Sequence, residues 1–199
     1  MSNPSFEEAS CWATNEPLTK EIGRYKYPEH WWSRPFEYRW ASQWLNPNDD
    51  VLDAGAGGPH PLKYHIADIC QSCCAMDNVD IAAESEPRDN MSYLQHDMLS
   101  SPYPLPDESF DKVVCVSVLE HLPADGIATV LSEFARVLKD GGLAVITMDV
   151  PRVTVDDWVN LVGESSLNFV VPPPPVPENV LVGNGHAAGL TILCSLLRK

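Results

Sequence analysis

No stretch of this 199-residue chain is apolar over the roughly 18–20 residues that a membrane span needs. Its beginning, MSNPSFEEASCW, has neither a basic n-region nor an apolar h-region, so we read no signal peptide and expect a cytoplasmic protein. Bases are scarce: 13 Lys and Arg face 28 Asp and Glu, leaving a formal charge of −15. A balance this acidic repels polyphosphate and anionic lipid surfaces, and no cluster of Lys and Arg breaks it. We therefore expect neither a nucleic-acid nor a membrane partner, and a small molecule as substrate. The six cysteines lack the second C-x-x-C that a four-ligand zinc site would require beside Cys70-Gln71-Ser72-Cys73. Without a leader, they read as reduced thiols that pack as small hydrophobes.

What the chain does have is alternation of strand and helix patterns. After about 20 polar, aperiodic residues expected to cover the domain loosely or fray, an aromatic-dense stretch begins at Tyr25. Ser33 is placed to cap a helix over 35–45, with Pro35 in its first turn and Phe36, Trp40 and Trp44 along one face. From residue 50 the apolar runs DVLDA, CCAM, SYLQ, DKVVCVS and LAVIT read as strands. They alternate with a helix around 61–70 and another over 125–139, stopped by Gly141-Gly142. Thr154-x-x-Asp157 opens a short helix ending at Gly163, LNFVV and GLTILCSLL supply two more strands, and the proline-rich 172–188 reads as a long surface loop. This order predicts an α/β, doubly wound, Rossmann-like sheet. Residues 1–48 are expected to form an N-terminal helical and aromatic lid segment, and 49–199 the ligand-binding domain, in one compact unit.

In such sheets ligands sit beyond the carboxyl ends of the strands, where the turn Gly55-Ala56-Gly57-Gly58 follows the first strand. A nicotinamide dinucleotide fingerprint would place a third glycine at position 60, which is His60. Asp53, two residues before Gly55, would also repel a pyrophosphate. The pattern favours a nucleoside with a positive, non-phosphate tail.

With these features the chain resembles the class I, seven-stranded Rossmann-like S-adenosylmethionine-dependent methyltransferases, and among them the small-molecule group that includes ubiquinone-biosynthesis enzymes. The resemblance runs over about residues 48–171 and the last strand. It rests on VLDAGAGG, on Asp77 closing the second strand, on HDM at 96–98, on PLPDESFDKVVCVSVLEHL and on ARVLKDGGLAVI. It implies a mostly parallel seven-stranded sheet with an antiparallel last strand, and S-adenosyl-L-methionine as cofactor. It implies cofactor-binding roles for Asp53, Gly55, Ala56, Gly57, Asp77, Asn78, Asp97, Met98, Val116 and Ser117. Asp77 would hold both ribose hydroxyls, Asp97 the adenine amine, and the Met98 backbone the ring edge. Three departures stand out: Pro59 in place of a frequent third glycine, Asp140 in place of a common proline, and Ser117 in place of the first glutamate of a metal-binding E-x-x-E-H. No metal is expected.

Some residues keep two readings. Asp53 and Asp77 could also cap the turns that follow them. His121 reads first as a helix-start histidine bonded to its own backbone, and is the first candidate should a general base be needed. Tyr27, Trp31 and Trp32, with His186 in the proline-rich loop, are candidates for a substrate pocket; the aromatics could instead cover the core, or attract a cationic group through their ring faces. The pocket would be closed by 20–45 and 172–188. The expected activity is direct methyl displacement onto a small acceptor, with His121 taking a proton where the acceptor carries one. The alternative is a catalytically idle cofactor-binding module that regulates or scaffolds a partner; a third is another use of the cofactor, such as aminopropyl transfer.

Overall fold

The computed structural model describes residues 8–15, 19–183 and 185–199, leaving out the side chains of Glu84 and His186. One sheet dominates it. Strands β4 (Asp50–Ala54), β5 (Ser72–Asp77), β6 (Met91–Gln95), β7 (Phe110–Val116) and β8 (Leu138–Val150) run parallel, in the order β6-β5-β4-β7-β8. The last strand, β10 (Thr191–Arg198), is antiparallel to β8 and lies inside the sheet. Two short strands share its outer edge end to end: β9 (Asn168–Phe169) pairs Leu197 and Arg198, and β1 (Ser10–Trp12) pairs Leu193 to Ser195. The sheet therefore has eight strands in seven positions, with β10 alone reversed. A separate two-stranded hairpin, β2 (Glu21–Ile22) and β3 (Tyr25–Lys26), leads into the aromatic stretch.

The N-terminal segment thus departs from the expected loose cover. Ser10–Trp12 is a strand because its partners are waiting: Leu196 donates to the Ala9 carbonyl at 2.7 Å and Ala13 to that of Ile192 at 3.0 Å. No local periodicity announces it. LNFVV is reduced to β9 for the same reason, since β1 takes over the edge of β10 where β9 stops.

Strand β7 shows why the parallel core was readable. Val113 and Cys115 face one side, Val114 and Val116 the other, and all are buried. Helices α3 (Ala124–Val137) and α4 (Val155–Gly163) cover the first face; α1 (Arg34–Ser42) and α2 (Leu62–Ile69) cover the second. Thr154 Oγ1 accepts from the Asp157 N–H, the expected cap. Two boundaries differ from expectation. α3 ends at Val137 and β8 begins at once at Leu138, so Gly141 and Gly142 lie in a strand. Gly141, at φ 75, serves a bulge that shifts the register between Phe110 and Lys112. α1 is rotated from the predicted face: Glu37, Tyr38, Trp40 and Ala41 are buried while Phe36 is only partly so.

Candidate active site

The site starts where β4 runs out. Gly55 and Ala56 both donate to the Met76 carbonyl, at 2.8 and 3.0 Å, folding the chain back over the end of β5. Gly55 has φ 81 and Gly57 φ 57, the left-handed region that glycine enters without strain. Space is closed as well: a Cβ on Gly55 would lie 2.5 Å from Val118 Cγ2, and one on Gly57 2.7 Å from His60 Cδ2. The turn is thus a cradle of bare backbone.

Two charged side chains fix its shape, and a second acid lies beside it. Lys63 has no exposed surface, and its ammonium donates to the carbonyls of Gly57, Gly58 and His60 at 2.5, 2.8 and 2.7 Å. Asp77, ending β5, accepts from the Gly57 N–H at 2.9 Å and from Val79 N–H at 3.2 Å. Asp53 is buried, and its Oδ2 has no partner among the described residues. Burial raises its carboxyl to about 7, opposed by the Lys63 charge and reinforced by Asp77. An orphaned carboxylate oxygen beside a bare turn is what a ligand ammonium or hydroxyl would complete.

Two cavities meet here. The smaller, about 100 Å³, is lined by Asp53, Gly55, Ala56, Leu62, Val116 and Val118. The larger, about 300 Å³, lies towards Trp31, Trp32, His121, Asp149, Arg152 and Leu190. Arg34, His60 and Ser117 line both. Arg34 is anchored through Nη1, which donates to Ser33 Oγ at 3.3 Å, Glu37 Oε2 at 2.5 Å and Ser117 Oγ at 2.9 Å. Glu37 in turn accepts from Ser117 and Thr147 hydroxyls at 2.5 and 2.6 Å. Burial pushes Glu37 up, but the Arg34 charge and these hydrogen bonds outweigh it and hold the carboxyl below its ordinary value. No hydrogen bond among the described residues uses Arg34 Nε or Nη2. His60 shares a 2.7 Å hydrogen bond with the Tyr38 hydroxyl and stacks on Trp31 with ring centroids 4.8 Å apart. Burial, with the Arg34 and Lys63 charges, lowers it to about 4, so the ring is neutral near pH 7.

Residues 52–146 match the family model described as a methyltransferase domain. These residues are similar to methyltransferase domains, and the fold they build is shared by solved S-adenosylmethionine-dependent methyltransferases. Sterol 24-C-methyltransferase ERG6B of Gibberella zeae is 31% identical over 107 residues, 50% of this chain and 27% of that protein, so the chain spans about a quarter of that relative's length. A TehB-like SAM-dependent methyltransferase from Corynebacterium glutamicum shares the fold with a TM-score of 0.63 at 19% identity, over 82% of this chain and 86% of that one. So does 1,6-didemethyltoxoflavin-N1-methyltransferase of Burkholderia thailandensis, solved with 1,6-didemethyltoxoflavin and S-adenosylhomocysteine. Its TM-score is 0.60 at 20% identity, over 84% of this chain and 80% of that one.

Most of the predicted residues fall into three groups, and Gly57 stays in the turn itself, held by Asp77. Asp53, Gly55, Ala56, Val116 and Ser117 gather around the smaller cavity; Trp31, Trp32, Ser117 and His121 line the larger. Asp77, Asn78, Asp97 and Met98 sit at the neighbouring strand ends, where His96 donates to the Asp77 carbonyl and Asp97 accepts from Leu99 N–H at 3.0 Å. Tyr27 lines neither cavity; it is buried behind Trp31, rings 6.0 Å apart. His121 is exposed in a one-turn 3-10 helix, Leu119–His121, its N–H on the Val118 carbonyl. The His186 side chain lies outside the described residues.

Sequence reasoning missed Arg34, Glu37, His60, Lys63 and Asp149. One signal was available: Glu37 lies four residues before Ala41 and seven before Trp44, an acid on what becomes a buried helical face. His60 registered only as a missing glycine, and Lys63 as an ordinary helix residue.

Proposed function

We propose that this protein transfers a methyl group from S-adenosylmethionine to a small-molecule acceptor in the cytoplasm. The observation that carries the reading is the junction of the two cavities at Arg34, His60 and Ser117, one over the glycine turn and one large enough for a small acceptor. Asp77 is assigned to the ribose hydroxyls, and Asp97 and the Met98 backbone to the adenine. Asn78 lies beside them, and Asp53 with Gly55, Ala56, Gly57 and Val116 surrounds the amino-acid end. The free Nε–Nη2 edge of Arg34 presents two parallel donors suited to a carboxylate at that end. S-adenosylmethionine, when bound, would supply an electrophilic methyl open to in-line attack by an acceptor atom, with the thioether sulfur as the leaving group. The chain's part is alignment and exclusion of water: Trp31 and Trp32 wall the acceptor side, and neutral His60 adds no positive charge beside a sulfonium. Where the acceptor is a hydroxyl or ammonium, His121 is the side chain assigned to take its proton.

S-adenosylhomocysteine titrated into wild type, Asp77→Ala and Asp97→Asn tests the reading, with thermal unfolding measured alongside because Asp77 also holds Gly57. Losing a bidentate, charge-assisted partner weakens binding by about two orders of magnitude or more; Asp97→Asn keeps an acceptor oxygen and loses about tenfold at most. A folded Asp77→Ala that binds like wild type overturns the ribose assignment. Labelled cofactor incubated with protein and metabolite extract then reads methyl transfer itself, and lack of any labelled product returns the idle module.

A further inference from the structure

The larger cavity holds two guanidinium groups in an acidic chain. Arg34 and Arg152 line it beside His30, neutral His60 and His121, and Asp149 is its one carboxylate among the described residues. Arg34 is tied down at Nη1, as above. Arg152, between β8 and α4, is not. It makes no hydrogen bond among the described residues, and its nearest acid, Asp149 Oδ2, is 3.9 Å from Nε, beyond hydrogen-bond reach. Arg88, Arg136 and Lys139, by contrast, donate to carboxylates at 2.6, 2.7 and 2.8 Å. Arg152 is a half-exposed guanidinium on the chamber wall whose one ion pair, to Asp149, is too long for a hydrogen bond.

Asp149 competes weakly for the opposite role of binding a cation. It is largely buried, and burial together with the nearby Glu37 charge raises its carboxyl, against the pull of Arg34, Arg152 and His121. The apolar wall is flat. Trp31 is already engaged by Tyr27 and His60, whereas Trp32 has no aromatic partner among the described residues and lines the same space, with Ala187 and Leu190 also on the wall. A tryptophan face can attract a cation. An ammonium placed here would be repelled by two guanidinium groups, and a carboxylate would be attracted by them.

We infer that the methyl acceptor is a small aromatic acid, its ring against Trp32 and its carboxylate on Arg152. The inference rests on the methyl-transfer reading of this site. Recognition is local: the net charge of −15 repels anions in general, but at physiological salt it is screened beyond about 8 Å. A guanidinium with a free edge offers a carboxylate paired donors that neither an alcohol nor an amine can use in the same way.

The test uses benzoate, benzyl alcohol and benzylamine, which share a ring and differ in charge, each titrated by NMR into protein saturated with S-adenosylhomocysteine. Benzoate is expected to bind at least about tenfold more tightly than benzyl alcohol, and benzylamine more weakly still. Arg152→Gln should weaken benzoate about tenfold or more while S-adenosylhomocysteine affinity stays within about twofold. Arg152→Lys should recover part of the loss, since it keeps the charge without the fork. Benzylamine binding as tightly as benzoate, no benzoate binding to the saturated protein, or an unchanged benzoate affinity in Arg152→Gln would each overturn the inference. Failure of wild type to bind S-adenosylhomocysteine would instead remove the reading beneath it.

Discussion

A lysine with no exposed surface is costly unless its ammonium is fully engaged, and Lys63 meets that condition with three backbone carbonyls. Burial lowers its affinity for a proton, and the Asp53 charge works against that. Its effect is to do with one cation what Pro59 leaves undone: hold residues 57–60 in a single shape without a third glycine. Lys63→Met should therefore strand three carbonyls in a closed turn. We expect a loss of about 2–3 kcal/mol in urea unfolding, and S-adenosylhomocysteine binding at least about tenfold weaker in protein that remains folded. A variant that keeps full affinity would mean that the turn holds its shape without the ammonium. The residues of this network are illegible from sequence for a common reason. Arg34 and Ser117 are 83 positions apart, and Glu37 and Thr147 110, so only the folded sheet brings them together.

At the scale of elements, legibility follows how local the determining contacts are. β4, β5, β7, α2 and α4 are set by apolar runs, capping and turn residues within each segment, and their expected positions match the structure within a few residues. The β8 start was misplaced because Leu138 satisfies both a helical stripe and a strand. What decides is parallel pairing with Phe110, and a bulge in which a Cβ on Gly142 would press within 2.8 Å of the Lys139 carbonyl. β1 could not be read at all. Three residues among polar neighbours carry no period, and their partners lie at the far end of the chain. Yet Trp12 is buried in the main core, and its indole N–H donates to the Pro174 carbonyl at 2.8 Å, tying the edge of the sheet to the proline-rich loop. Trp12→Ala is expected to cost about 3–5 kcal/mol in chemical denaturation. If β1 were an optional strap, the loss would stay below about 1 kcal/mol.

For the molecule as a whole, two buried carboxyls set the response to pH. Burial raises Asp53 to about 7 and Glu120 to about 8, and neither Glu120 oxygen has a partner among the described residues. Both folded values lie above the unfolded ones, near 4, so the stability these groups contribute is fully present below about pH 4 and is lost as pH rises through 7 to 8. In that window the folded state holds more protons. Each group lowers the unfolding free energy by about 1.4 kcal/mol per pH unit at most. Urea titrations between pH 5.5 and 7.5 should show stability falling, with a shallower slope in Glu120→Gln. An unchanged slope in that variant would mean that Glu120 is already ionised in the fold.

The place of β10 has a consequence for synthesis. It is made after every other strand described, yet it lies between β8 and the pair β1 and β9. At about 5–20 residues per second, Ser10 waits on the order of ten seconds or more for Ser195, the residue it will face. Until then β8, thirteen residues long and largely buried in the finished protein, is an open edge of the nascent sheet. A polypeptide halted before Thr191 would carry that edge permanently, unblunted and ready to pair with another copy. Termination just before Thr191 should therefore yield aggregates rather than a slightly shorter folded protein.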